Sequence, residues 1–241
     1  MNAQSTFLPN KSTTKENNSL TSKSSDTKRE QTSLLSPLEQ ITLQWLVKRL
    51  PSWVSPDHLS ILGLLAMLLA GVGYFFSKGN AQFLHLVNFC LALNWFGDSL
   101  DGTLARFRNK QRPKYGFYVD HMIDTFGTLF LMVGLIMSGY MSERVGLGVL
   151  IVYFMLSINS YLAAYSLNVF SISFWKFSPT ELRILLAIGN LALFKFEYCN
   201  LFGQKYLLYD VGGVVGIIGM GAMLIVSSIK NTKTLYEKER V

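Results

Sequence analysis

The segment Asp98-Ser99-Leu100-Asp101-Gly102-Thr103-Leu104-Ala105-Arg106, followed after nine intervening residues by Gly116-Phe117-Tyr118-Val119-Asp120-His121-Met122-Ile123-Asp124, decides how this chain is read. It sets four carboxylates, Asp98, Asp101, Asp120 and Asp124, at the edges of long apolar runs. At the centre of a bilayer an ionised Asp costs roughly 2.5–3.5 kcal/mol, whereas a Leu returns only about 0.3–0.6 kcal/mol. Four of them without partners would cost on the order of 10 kcal/mol. At a rise of 1.5 Å per helical residue, Asp98 lies roughly 25 Å along its apolar run, close to one membrane face, and this depth lowers the penalty. Even there, clustered anions repel one another and require cations.

Their spacing brings the carboxylates together. Asp98 and Asp101 are i and i+3 on one helix, and Gly102 and Ala105 continue that face. Gly116, Asp120 and Asp124 are i, i+4 and i+8 on the next helix and form one stripe. The link over residues 106–115 is short, so the helices are antiparallel neighbours and their acidic faces can meet. Two facing pairs of hard oxygen ligands suit Mg²⁺ or Mn²⁺. Two such ions stabilise both the attacking and the leaving oxygen of a displacement at phosphorus. Gly102, Ala105 and Gly116 clear bulk beside the carboxylates, for a substrate or for close helix contact. Arg106 supplies a cation where a phosphate would lie. Singly, the glycines read as ordinary membrane-helix packing and Arg106 as a topology signal; together they describe a site.

The remaining sequence supplies the membrane setting. Of 241 residues, 50% are hydrophobic and only 15% charged, against roughly a quarter charged in soluble domains. Apolar runs cover residues 59–76, 81–97, 125–142, 145–175, 184–194 and 211–229. A bilayer core about 30 Å thick needs roughly 20 helical residues, so an all-α bundle of six membrane helices is predicted over residues 51–230. Residues 1–35, rich in Ser, Thr, Asn and Lys, are expected to be a disordered polar tail, with no apolar stretch of the signal-peptide kind. Residues 36–50 read as an amphipathic helix lying in the membrane interface. Ser36, Pro37 and Glu39 form its capping box, Leu38, Ile41, Trp45 and Leu46 its apolar face, and Glu39, Gln40, Gln44 and Lys48 its polar face. With six spans, the cations at Lys48, Arg49, residues 106–114, Lys176, Arg183 and the 231–241 tail share one side. The positive-inside rule then predicts both termini and the acidic site in the cytoplasm. The net charge of +7 follows from these topology signals, and nucleic acid is not an expected partner. Cys90 and Cys199 suggest neither a disulfide framework nor a zinc site.

The quoted segments closely resemble the signature of the CDP-alcohol phosphotransferase family, with all eight motif positions matching. The resemblance extends over residues 37–230, including Ser55-Pro56-Asp57-His58-Leu59-Ser60 before the first span. It implies a six-helix, homodimeric membrane enzyme that moves a substituted phosphate group from a CDP-linked donor to an alcohol acceptor, releasing CMP. By the same resemblance, Asp98, Asp101, Asp120 and Asp124 hold two divalent cations, and Asp124 accepts the acceptor's proton. Gly102, Ala105, Arg106 and Gly116 line the CDP site.

The motif leaves both alcohols open. A CDP-diacylglycerol donor pairs with a small alcohol, and a CDP-choline or CDP-ethanolamine donor pairs with diacylglycerol. The Asp120-His121 pair resembles that of choline and ethanolamine phosphotransferases, where the histidine is a proposed base. His121 also lies about 100° around the helix from Asp120 and can equally face a neighbouring helix. Glu181 and Arg183, at the start of the fifth span, read either as helix-terminus charges or as residues that select the acceptor. His58 and His85 read as packing or interfacial residues. A cation transporter is a rival reading, since membrane carboxylates mark ion paths; it more often places them near the midplane with pseudo-repeats. A catalytically silent scaffold is another.

Overall fold

A computed structural model describes residues 36–167, 179–201 and 203–240. The predicted disorder of the tail and the end of the 145–175 run lie outside those residues. So do the side chains of Ser36, Pro37 and Leu38.

The described residues hold seven α-helices and one hairpin: α1 Ser36–Val47, α2 Pro56–Ser77, α3 Phe83–Phe107, α4 Pro113–Ser138, α5 Glu143–Leu167, α6 Pro179–Leu193 and α7 Leu208–Lys238. Strands β1 Tyr198–Leu201 and β2 Gln204–Leu207 pair antiparallel between α6 and α7, turning at Gly203 with a φ of 80°. Apolar periodicity gave no sign of this hairpin. Four helices, α2, α4, α5 and α7, are long and apolar enough to cross a membrane. α3 has 25 residues but carries Asp98, Asp101 and Arg106 in its final turns, and α6 has 15. α7 continues to Lys238, past residue 229 where its apolar run ends.

α2 is the central element, packed on α3 along one side and on α4 along the other. Glycines permit this. A Cβ on Gly97 would stand 2.6 Å from the Leu59 carbonyl oxygen and 2.9 Å from the Gly63 nitrogen, so α2 and α3 touch backbone to backbone. A Cβ on Gly134 would fall on the Gly71 backbone, and one on Gly71 would fall on the Phe130 carbonyl, so α2 and α4 touch likewise. Small residues at such crossings are how membrane helices gain packing without a hydrophobic driving force. α6 covers α3, α5 covers α4, and α7 lies on α5.

A buried polar knot ties four helices at one end. Asn190 Oδ1 accepts from the hydroxyls of Tyr74 at 2.8 Å and Tyr209 at 2.6 Å, while Asn190 Nδ2 donates to Asn88 Oδ1 at 2.7 Å. These residues belong to α2, α7, α6 and α3, and Tyr74 and Asn190 are completely buried.

α1 is a helix as the sequence reading has it, but one of its polar residues turns inward. Its inward residues are Leu43 and Val47, in a cluster with Val54, Leu59, Leu100 and Leu104, while Ile41 and Trp45 are exposed. Glu39, assigned to the polar face and a capping box, points into the bundle. Its Oε1 accepts from Trp95 Nε1 at 2.9 Å, and from Ser99 Oγ and Thr180 Oγ1 at 3.1 Å each. Three donors from two other helices compensate the carboxylate for its lost water; the capping box with Ser36 lies outside the described side chains. Helical spacing shows which residues share a face, but the packing of α3 and α6 decides which face turns inward.

Candidate active site

The site forms where α2, α3 and α4 meet. Gly97 against Gly63 brings the last turns of α3 onto the first turns of α2, and the short link from Arg108 to Arg112 returns α4 alongside. Arg108 holds that link in place by donating to the carbonyls of Leu50, Pro51, Ser52 and Val54, and Arg112 pairs with Asp57 at the start of α2. The Asp57 hydrogen bond raises the pKa of the exposed Arg112 guanidinium, which also lies over the Tyr115 ring.

All four carboxylates line one small cavity of about 10 Å³, together with Ser60, Gly63, Asn94 and Ile123. Ser60 Oγ donates to Asp101 Oδ2 at 2.6 Å. Arg183 of α6 donates to Asp98 Oδ2 at 2.6 Å, with the two side chains 13% and 24% exposed. Asp120, His121 and Asp124 present ligand atoms within 4.8 Å of one another. His121 itself is buried, stacked at 4.7 Å on the Tyr161 ring of α5 and edge-on to Phe117 at 4.2 Å; its Nδ1 is 3.8 Å from Asp120 Oδ2.

The residues assigned to the nucleotide side lie around this cavity rather than in its lining. Arg106 is exposed at the end of α3, its guanidinium beside Gly102 and donating to Thr103 Oγ1 at 3.2 Å. Ala105 is half-buried, and the space around Gly116 is open, with no atom of the described residues within 4 Å of where a Cβ would stand. Glu181 is half-buried near the start of α6. Sequence reasoning missed Ser60 and Asn94 as parts of the site and placed Arg183 only loosely. Ser60 and Asn94 sit in ordinary apolar runs, and only the α2–α3 crossing turns them toward the carboxylates.

The donor set fits a hard divalent cation. Four carboxylates surround a space one ion or one water wide, and Asn94, which also lines it, has a buried Oδ1 with no hydrogen-bond partner among the described residues. Arg183 supplies part of the countercharge. The Arg183→Gln protein is expected to unfold at lower temperature in chelator, by a margin near the roughly 3–5 kcal/mol of a broken buried pair. Saturating Mg²⁺ should recover much of that loss. Equal melting of the two proteins in chelator, followed by differential scanning fluorimetry in detergent, would refute the role.

A helical membrane bundle with carboxylates gathered at one end of three touching helices defines the general class. Residues 53–225 match the CDP-alcohol phosphatidyltransferase family, and the chain belongs to it. Among curated relatives, it is 32% identical over 108 residues to cholinephosphotransferase 1 of Danio rerio, covering 42% of this chain and 28% of that protein. Its identity to cholinephosphotransferase 1 of Gallus gallus is 33% over 108 residues, covering 42% of this chain and 32% of that protein. With archaetidylinositol phosphate synthase of Pyrococcus horikoshii the identity is 30% over 113 residues, covering 47% and 53% of the respective chains. The matched region thus spans between about a quarter and half of the length of these relatives.

Proposed function

We propose that this chain transfers a substituted phosphate group from a CDP-linked alcohol to an acceptor hydroxyl, releasing CMP, in the synthesis of a phospholipid. The observation that supports this most is the meeting of Asp98, Asp101, Asp120 and Asp124 on one cavity, at the positions of the family motif. Two divalent cations, Mg²⁺ or Mn²⁺, held by these four residues, one within the cavity and the second at its mouth, would neutralise the donor diphosphate and the charge that develops on the leaving phosphate. The cavity accommodates an ion and no nucleotide, so the cytidine diphosphate lies at its mouth. There Gly116 leaves open space, Gly102 and Ala105 add little bulk, and the exposed Arg106 meets phosphate oxygens. Asp124 takes the proton of the acceptor hydroxyl as its oxygen bonds to the phosphorus bearing the donor alcohol. The bond from that phosphorus to the CMP oxygen breaks, and CMP carries away the electron pair.

The donor in this reading is of the CDP-choline or CDP-ethanolamine type, with diacylglycerol as acceptor. Two cholinephosphotransferases among the relatives support it, and so does Arg183, which is engaged by Asp98 rather than held out toward a phosphorylated acceptor. The archaetidylinositol phosphate synthase relative favours the second reading, a CDP-lipid donor with a small alcohol. The topology in this proposal has six crossings, α3 and α6 joining the four apolar helices. Both termini and the site face the cytoplasm, α1 lies in the interface, and the chain forms a homodimer. The basic residues flanking α1, α3 and α7 support that sidedness.

The test is CMP release by the purified protein in detergent with Mg²⁺ or Mn²⁺. CDP-choline and CDP-ethanolamine are offered with diacylglycerol, and CDP-diacylglycerol with a panel of small alcohols, the lipid products being identified by mass spectrometry. Turnover with a CDP-aminoalcohol pair is expected. Turnover with CDP-diacylglycerol alone selects the second reading, and metal binding without CMP release from any pair overturns the enzyme.

A further inference from the structure

The proposed reading assigns the cation shell to carboxylates alone; Asn94 adds to it. Asn94 stands one helical turn before Asp98 on α3 and is 4% exposed. Its Nδ2 donates to the Gly63 carbonyl of α2 at 3.0 Å. That carbonyl needs a donor, so the amide is fixed with nitrogen toward Gly63 and oxygen turned away from it. The oxygen is buried and has no hydrogen-bond partner among the described residues. Burying an amide oxygen unpaired is unfavourable by roughly 1–3 kcal/mol, and in a lipid-embedded bundle water does not readily relieve it. The same side chain lines the cavity bounded by Asp98, Asp101, Asp120 and Asp124, whose volume of about 10 Å³ is that of a single ion or water.

We propose that Asn94 forms the inner wall of the cation site, its Oδ1 donating a neutral oxygen to the shell of the deeper divalent cation. An amide oxygen is a hard ligand of the kind Mg²⁺, Mn²⁺ and Ca²⁺ accept, and it adds a ligand without adding to the crowd of negative charge. Asn94 also ties the site to α2, because one amide bridges the Gly63 backbone and the cation. Cation occupancy therefore tightens the α2–α3 crossing.

This inference rests on the proposed metal site, so cation binding is measured without substrate. Mn²⁺ is titrated into the purified protein in detergent and the free ion is followed by electron paramagnetic resonance. The wild-type protein is expected to bind Mn²⁺, and the Asp101→Asn protein to bind it far more weakly; no binding by the wild-type protein would sink the metal site itself. Asn94→Leu, close in volume, is expected to weaken Mn²⁺ binding about 10–100-fold, the range for groups that tune a metal shell. Asn94→Asp keeps an oxygen facing the cavity and loses the Gly63 bond. It is expected to bind Mn²⁺ at least as tightly as wild type while melting earlier in chelator. Wild-type Mn²⁺ affinity in Asn94→Leu overturns the inference. So does an equal loss in both variants, since that marks a packing role. Should Asn94→Leu fail to fold, Asn94→Ala and Asn94→Asp are compared by the same criteria.

Discussion

The Asp101→Asn protein is expected to fold, extract into detergent like wild type, and release CMP roughly 10³-fold more slowly or worse. Asp101 lines the cavity and accepts from Ser60 Oγ and from the Gly102 N–H, so the amide fits the same space but loses a negative ligand and one of the two acceptors. Asp124→Asn removes the proposed proton acceptor, an effect of about 10²–10⁴-fold for general-base catalysis. Stability should move the other way. Four like charges crowd one end of the bundle, and removing one relaxes their repulsion, so the melting temperature in chelator should hold or rise. Added Mg²⁺ should then stabilise wild type more than either variant. The checks are CMP release under saturating donor and thermal unfolding with and without Mg²⁺. Full activity in either variant would remove that residue from the site. A collapse of stability in chelator would make it a structural residue instead.

The largest effect on folding is expected at Gly134. An added methyl there meets the Gly71 backbone, which no rotamer change can move, so α2 and α4 must separate. Gly134→Ala should lose stability at or beyond the upper end of the ~1–3 kcal/mol that overpacking costs. Gly134→Leu should leave little folded protein. Gly219 of α7 is the internal control: nothing among the described residues lies within 4 Å of its Cβ position, so Gly219→Ala is expected to be neutral or to gain up to about 1 kcal/mol from helix propensity. Unfolding by heat or by graded denaturing detergent measures both. If Gly134→Ala melts with wild type, the helices are not in backbone contact.

Those contacts also show where sequence reasoning succeeds and where it stops. The apolar runs located the cores of α2 to α7 because lipid forces long uninterrupted hydrophobic stretches. The spacing of Asp98 with Asp101, and of Asp120 with Asp124, was readable because helical period sets the face a residue occupies. What a face meets is a different matter. Gly63 and Gly97 are 34 positions apart, and nothing local says that one backbone lies on the other. Asn94 and Ser60 become part of the site through that crossing. Glu39 shows the same limit in reverse: its position suited a solvated face, yet three donors on α3 and α6 hold it inside. The hairpin over residues 198–207 went unread because its alternation is brief and both strands are largely exposed.

The Asn190 knot bears on how rigidly the bundle presents the mouth of the cavity to a nucleotide. On α3, Asn88 stands ten residues before Asp98, or roughly 15 Å. In hydrocarbon there is no water to substitute for the knot's partners, so parting them is unfavourable at every one of the four helices it joins. The opposite end is fastened as well: Gly97 rests on the Gly63 backbone, Arg183 pairs with Asp98, and Glu39 holds Ser99 of α3 and Thr180 of α6. α2, α3 and α6 are thus laced at both ends, which favours a site whose mouth is already in place when the donor arrives over one that opens by splaying these helices.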